Sequence, residues 1–462
     1  MIGEKKAVEQ IYTKCLAQGA YFIESNGEAA VIDPLRESEP YLERAKERGV
    51  KIKYIFETHF HADFVSGHVS LAKETGAEIV FGPGAQTSYD IHNATDGEVF
   101  QVGDLTITAI HTPGHTLEST CYLLKDVTGN QKALFSGDTL FIGDVGRPDL
   151  AQKSGEMTKE DLAGMMYDSL RNKIMTLSED ITVYPAHGAG SACGKNMSSE
   201  TSDSLANQLK TNYALNPDLS KEEFVQQVLN GLSSPPGYFK FNVSINKSGY
   251  TDLSEVMKTG FRALSINEFK ETYNEDVLIL DVRDKHEFAK KHIKDSLFIG
   301  IDGSFAPWVG ELIADIEQKI LIVAPKGREK ETVKRLARVG FDNSLGYLDA
   351  SIDEWENQGN EVGSYGIENA ISLKELYTEH TPIIDFRKPG EYSDGHISTA
   401  INLPLSKINH RVSELDNDTH YYIHCKSGYR ASIAASIMKR NGISVSNVID
   451  DVERVLEELP SV

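Results

Sequence analysis

Residues 58–64 read Thr-His-Phe-His-Ala-Asp-Phe, with imidazoles at His59 and His61 and a carboxylate at Asp63. Three more side chains able to bind a metal stand far along the chain: His115 in HTPGH, Asp138 in FSGDTL and His187 in YPAHG. Each follows a short apolar run. Ligands drawn from the ends of separate strands are what a metal ion needs, and the joint pattern says far more than any one residue. Phe64 closes the first run, and a phenyl ring cannot ligate. The run therefore leaves open whether one metal or two is held.

A second chemical signal lies at Tyr421-Tyr-Ile-His424-Cys425-Lys426-Ser-Gly428-Tyr-Arg430. An apolar strand runs into a cysteine, a glycine-containing loop turns, and the pattern predicts a helix over 431–440. A thiolate so placed faces backbone N–H groups and the positive end of a helix, and Lys426 and Arg430 add positive charge. That arrangement favours a sulfur nucleophile over a buried structural cysteine. The remaining cysteines, Cys15, Cys121 and Cys193, form no CxxC pair, so neither a disulfide framework nor a thiolate zinc site is expected. A reducing cytoplasm is the simplest setting.

These residues need strands and helices to hold them. Short apolar runs at 29–33, 54–58, 78–81, 105–110, 133–136 and 181–184 read as strands, each followed by a polar loop. Helical periodicity covers 65–76, 159–177 and 220–232, and Ser233-Ser-Pro-Pro-Gly237 breaks it. Residues 242–251 then read as a linker. Beyond it the chain repeats: Asp281-Val-Arg283 returns as Asp385-Phe-Arg387, and His292-Ile293 as His396-Ile397, each 104 residues on. Two copies of one α/β unit of about 100 residues are expected. Aligning glycines sets Ala324 of the middle copy opposite Cys425. A methyl group carries no sulfur, so the middle copy is expected to be catalytically dead. The domains then run 1–250, 251–362 and 363–462.

At 462 residues the chain exceeds one ordinary core, and 40% hydrophobic with 25% charged residues is usual for a globular protein. Lys and Arg total 47 against 69 Asp and Glu, a formal charge of −22. That balance argues against nucleic acid or an anionic membrane as partner. No run approaches the roughly 18 apolar residues of a membrane span. The opening MIGEKKAVEQ has no apolar core of a secretory signal.

The motifs HxHxD, HTPGH, SGDTL and PAHG resemble those of the metallo-β-lactamase superfamily over roughly residues 10–240. The resemblance implies an αβ/βα sandwich with a metal on loops at one edge of its sheets. Two-metal hydrolases of that superfamily usually carry a histidine where Phe64 stands. The sequence is most similar to its persulfide dioxygenases, which implies one Fe(II) per domain bound by His59, His115 and Asp138. His61, Asp63 and His187 would then orient those ligands or water at the open site. Gly143-Asp-Val-Gly-Arg147-Pro-Asp149 resembles a stretch in which an arginine holds the framework; an arginine paired with a surface acid is the competing reading. Cys193, Lys195 and Ser198 on the glycine-rich loop after His187, with Tyr238 and Asn242, are read as the pocket of a low-molecular-weight thiol. Aromatic packing against the linker competes for Tyr238, and an inert small residue for Cys193.

The Cys425 loop resembles that of rhodanese sulfurtransferases, whose six residues from Cys to Arg it matches; related phosphatases have one more. Asp385, Arg387, Glu391 and His396 match framework motifs that brace the loop. The whole resembles the persulfide dioxygenase–rhodanese fusions of sulfide detoxification: an α/β multidomain chain, with a metallo-β-lactamase sandwich followed by two rhodanese-like α/β domains. It implies a thiol persulfide and O2 as substrates, sulfite and thiosulfate as products, and a homo-oligomer. A glyoxalase II-like thioester hydrolase with an appended sulfurtransferase is the alternative, and a sulfur-binding carrier without turnover is a third class.

Overall fold

Alternation along the strands decides which way each sheet faces. In the strand Gln18–Ser25, Tyr21 and Ile23 join one buried cluster while Ala20 and Phe22 join another. In Thr120–Lys125, Tyr122 and Leu124 enter that same first cluster, and Cys121 and Leu123 enter a third. Both strands are thus buried on both faces. A computed structural model describes residues 7–152, 157–232 and 234–462. The first six residues of the opening stretch, and Ser233 of the helix-breaking run, lie outside the described residues.

Two six-stranded sheets result. One holds β1 (Val8–Thr13), β2 (Gln18–Ser25), β3 (Glu28–Ile32), β4 (Lys51–Phe56), β5 (Glu78–Phe81) and β6 (His92–Asn93) in chain order. The other holds β7 (Val99–Val102), β8 (Leu105–His111), β9 (Thr120–Lys125), β10 (Gln131–Gly137), β11 (Thr182–Pro185) and β12 (Asp203–Ser204), again as neighbours in sequence. Tyr21, Phe56, Phe100, Tyr122 and Phe135 fill the space between the sheets. The helices Glu39–Arg48 and His68–Thr75 cover the outer face of the first sheet through Tyr41 and Leu71. Lys159–Ser169 and Lys221–Leu229 cover the second through Leu162, Met166, Phe224 and Val228. The architecture is a helix–sheet–sheet–helix sandwich.

The supposed linker is different. Phe239–Ser248 is a helix, and its buried face is Phe239, Asn242 and Asn246. The Asn246 amide donates to His61 O at 2.8 Å and Phe64 O at 2.9 Å, and its oxygen accepts from Ser66 N at 2.9 Å. The helix docks by hydrogen bonds to the loop of the first histidines. Two asparagines replace the apolar residues that would have announced it, which is why its periodicity is hard to see.

The chain divides into two compact units, one running to Leu253 with Ala337–Gly340, the other Ser254–Leu336 with Phe341–Val462. The second unit holds both copies of the repeat. In the middle copy a parallel sheet runs Ala263–Leu264, Ser344–Leu348, Lys319–Val323, Val277–Asp281, Leu297–Phe298 in space. In the last copy it runs Gly366–Glu368, Ser444–Val448, His420–His424, Ile383–Asp385, Ile401–Asn402. The spatial order of first, fifth, fourth, second and third strand is the same in both, as duplication requires. No helix among the described residues is long and apolar enough to cross a membrane.

Candidate metal centre and cysteine loop

His59, His115 and Asp138 come together from the loops after β4, β8 and β10. Their ligand atoms lie within 4.8 Å of one another, and each residue is 1% exposed. His59 Nε2 is 3.7 Å and His115 Nε2 3.4 Å from Asp138 Oδ2, and the two rings stand nearly perpendicular.

The hydrogen bonds behind the rings settle where their protons are. Thr58 Oγ1 donates to Asp33 Oδ2 at 2.8 Å, so it accepts from His59 Nδ1 at 2.9 Å. Arg147 O, a carbonyl, can only accept from His115 Nδ1 at 2.8 Å. With Nδ1 as the donor in each ring, the uncharged form of each turns a bare Nε2 lone pair toward Asp138 Oδ2, which is buried with no hydrogen bond of its own. Three buried electron-rich atoms facing one another repel unless a cation lies among them. The donor set fits a metal ion.

His187 stands behind this group. Its Nδ1 donates to Asp138 Oδ1 at 2.8 Å, and its Nε2 lies 2.8 Å from Asp63 Oδ2. Burial opposes charge on His187, but the Asp138 and Asp63 carboxylates outweigh it and hold the imidazole protonated well above its ordinary range. Burial would likewise raise Asp138, and the charged His187 beside it instead holds it far below the usual carboxylate range. Cys193 joins Asp63 and His187 in a second group of possible ligands within 4.8 Å. It is 1% exposed, so it is buried beside these acids and not open at a pocket mouth. Burial, with Asp63 and Asp138 nearby, pushes its thiol well above the ordinary cysteine range.

His61 turns the other way. Its Nε2 lies 3.1 Å from Asp33 Oδ1 and 3.5 Å from Glu57 Oε2, a third buried group. Burial and Asp33 raise Glu57 well above the carboxylate range. Phe64 is fully buried with its ring 4.4 Å from that of His61. Asp33, Glu57 and Thr58 escape sequence reasoning. The one local sign, Asp33 ending an apolar strand before Pro34, does not say which loop it will meet.

The other pocket residues are spread over different tasks. Arg147 is buried and pairs in a fork with Asp149, Nε to Oδ1 at 2.7 Å and Nη2 to Oδ2 at 2.8 Å. Lys195 Nζ donates to Gln227 O and Asn230 O at the C-terminal end of the helix Lys221–Leu229. Ser198 Oγ donates to Glu200. Tyr238 is 3% exposed and packs edge-on against Phe239. Asn242 is fully buried, and neither atom of its carboxamide has a hydrogen-bond partner.

In the second unit, Cys425 ends the strand His420–His424 and is 1% exposed. Gly428 turns the loop at φ +78°, and the helix Tyr429–Arg440 begins two residues earlier than the sequence pattern suggests. The guanidinium of Arg430 forks onto Glu391 at 2.7 and 2.8 Å, and Cys425 lies near enough to add to the field that, against burial, raises the Arg430 pKa. The Arg430 bond lowers the Glu391 carboxyl to about 2. Asp385 grips Arg387, whose Nη2 also donates to Gly395 O. Asp281 and Arg283 repeat that grip in the middle copy. There Gly327, at φ +87°, turns the loop that starts at Ala324. Lys426 is exposed, and its carbonyl accepts from Val452 N at 2.9 Å.

Residues 14–187 match the metallo-beta-lactamase superfamily, and 265–358 and 369–457 each match the rhodanese-like domain. The hydroxyacylglutathione hydrolase of Tolumonas auensis is 35% identical over 171 residues, 36% of this chain; the chain spans 60% of that enzyme's length. The mitochondrial persulfide dioxygenase ETHE1 of Homo sapiens is 30% identical over 224 residues, 47% of this chain and 78% of that one. A crystal structure of a metallo-beta-lactamase from Staphylococcus aureus subsp. aureus COL, 30% identical, superposes with a TM-score of 0.67. It covers 74% of this chain and 98% of its own.

Proposed function

As the chain belongs to the metallo-β-lactamase superfamily and carries two rhodanese-like domains behind that fold, we propose that it is a persulfide dioxygenase fused to a sulfurtransferase. One observation carries the reading of the first site: two imidazole nitrogens and one carboxylate oxygen converge, while Phe64, buried against His61, offers no further ligand. Fe(II) bound by His59, His115 and Asp138 would supply redox chemistry with dioxygen and keep positions open for dioxygen and a persulfide sulfur.

The chain's own residues prepare that site. Thr58 and the Arg147 carbonyl hold protons on the far side of His59 and His115. His187 fixes the rotamer of Asp138 and keeps a proton between two carboxylates. Phe64 and Cys193 are buried beside it. In the net reaction a thiol persulfide, dioxygen and water give the thiol, sulfite and two protons.

At the second site the Cys425 sulfur attacks the outer sulfur of a persulfide. A new S–S bond forms, the donor's S–S bond breaks, and the thiol leaves with its proton. Sulfite then takes the outer sulfur with its lone pair, which gives thiosulfate and returns the thiolate. Arg430, held by Glu391 near Cys425, would place positive charge beside the anionic acceptor. The four free cysteines suit a reducing compartment such as the cytoplasm. A homo-oligomer belongs to the same proposal, and size-exclusion chromatography with light scattering checks it.

The hydrolase relatives favour a second reading, a metal-dependent thioester hydrolase, and Asp63, His187 and Cys193 offer it ligands for a second ion. Metal analysis of anaerobically prepared protein, with an oxygen electrode, separates the two. One iron and persulfide-dependent oxygen uptake support the dioxygenase. Two zinc ions and no uptake would sink it.

A further inference from the structure

The middle copy has kept its fold without its cysteine, and within the second unit its residues meet the loop that has one. Tyr429 is the first residue of the helix after that loop. Its hydroxyl donates to Gly300 O at 2.7 Å. Its ring lies on Gly303 so closely that a Cβ there would stand 2.1 Å from Tyr429 Cζ. Only glycine fits beneath it. Lys285 Nζ donates to Ser427 O at 2.6 Å and would lie 3.4 Å from a Cβ on Gly428. The carbonyls on either side of Ser427 turn inward to their own domain: Lys426 O accepts from Val452 N, and Gly428 O from the Asn447 amide at 3.2 Å. Successive loop residues are thus held alternately by the last copy and the middle one.

We propose that Lys285, Gly300 and Gly303 of the middle copy are positioning residues for sulfur transfer at Cys425. By clamping Ser427 and Tyr429 they fix the curvature of the loop that encloses the sulfur. The cysteine-free copy is then a working part of the active site, one wall of its loop. This rests on the sulfurtransferase reading above.

The test uses the full chain with Gly303→Ala, Lys285→Met and Lys285→Arg. Two quantities are read: kcat for sulfur transfer from thiosulfate to cyanide, and amide hydrogen exchange by peptide. Gly303→Ala and Lys285→Met are expected to lower kcat about tenfold and to speed exchange at 426–430 while leaving Ile383–Asp385 protected. Lys285→Arg, which keeps a donor, should stay within about twofold of the parent. The proposal is overturned if all three match the parent, if kcat falls with no local change in exchange, or if exchange rises equally everywhere. Should Gly303→Ala fail to fold, the two Lys285 variants decide alone. A parent chain without sulfur transfer would refute the function, and the exchange comparison would still judge the clamp.

Discussion

Asp138 uses its two oxygens differently. Oδ1 accepts from His187, which fixes the carboxylate plane, and Oδ2 faces the bare nitrogens of His59 and His115. Asp138→Ala removes the anionic member of the set and leaves two neutral imidazoles. We expect metal content near zero by elemental analysis and no persulfide-dependent oxygen uptake. Sulfur transfer from thiosulfate should stay within about twofold of the parent, since Cys425 shares no partner with Asp138. The grouping of His59, His115 and Asp138 was legible because each is a residue type able to bind a metal, standing just after an apolar run. Thr58, Asp33 and Glu57 were not, because their tasks depend on which loop folding brings beside them. Cys193 was legible by type, while its burial follows from packing that no local pattern records.

At the scale of elements, hydrogen bonds to backbone do what apolar stripes do elsewhere. The helix Phe239–Ser248 is held to the His61–Phe64 loop by the Asn246 carboxamide, which satisfies three buried backbone groups. Asn246→Ala leaves those groups unpaired and should cost about 2–4 kcal/mol, read as a lower urea midpoint, with weaker metal retention because the ligand loop loosens. The strands of this fold were readable from alternation and bounding turns. This helix was not, since its buried face carries asparagine.

The cysteine loop shows electrostatics at the same scale. The Arg430 hydrogen bond holds Glu391 at about 2, below its ordinary 4.5. A depressed carboxyl stabilises the fold above its unfolded pKa, and the contribution fades as pH falls from about 4.5 toward 2. The parent should therefore be more stable than Glu391→Gln at pH 7. That advantage should shrink steadily across the acid window, measured as the difference in denaturant midpoint at several pH values. A constant difference down to pH 3 would assign the Glu391 effect to packing instead. Glu391 is partly exposed, so solvent screening keeps the effect modest.

For the whole molecule, the duplication was plain from the 104-residue spacing, and the shared strand order gives it physical form. That both copies fold into one compact unit was not readable, because the contacts joining them pair residues with no common motif. Under the proposed function, one chain carrying an oxidising site and a sulfur-transfer site would confine their common intermediate, sulfite, because the tether sets the effective concentration of the second site. Cys425→Ser tests this division of labour. It should leave oxygen uptake unchanged while the product under persulfide feeding switches from thiosulfate to sulfite, resolved by ion chromatography. Mixing it with Asp138→Ala should restore thiosulfate, with a yield that rises with protein concentration because the intermediate must then diffuse between chains. If oxygen uptake disappeared with Cys425, sulfur would have to pass through that residue before oxidation, and the two-site order would be wrong.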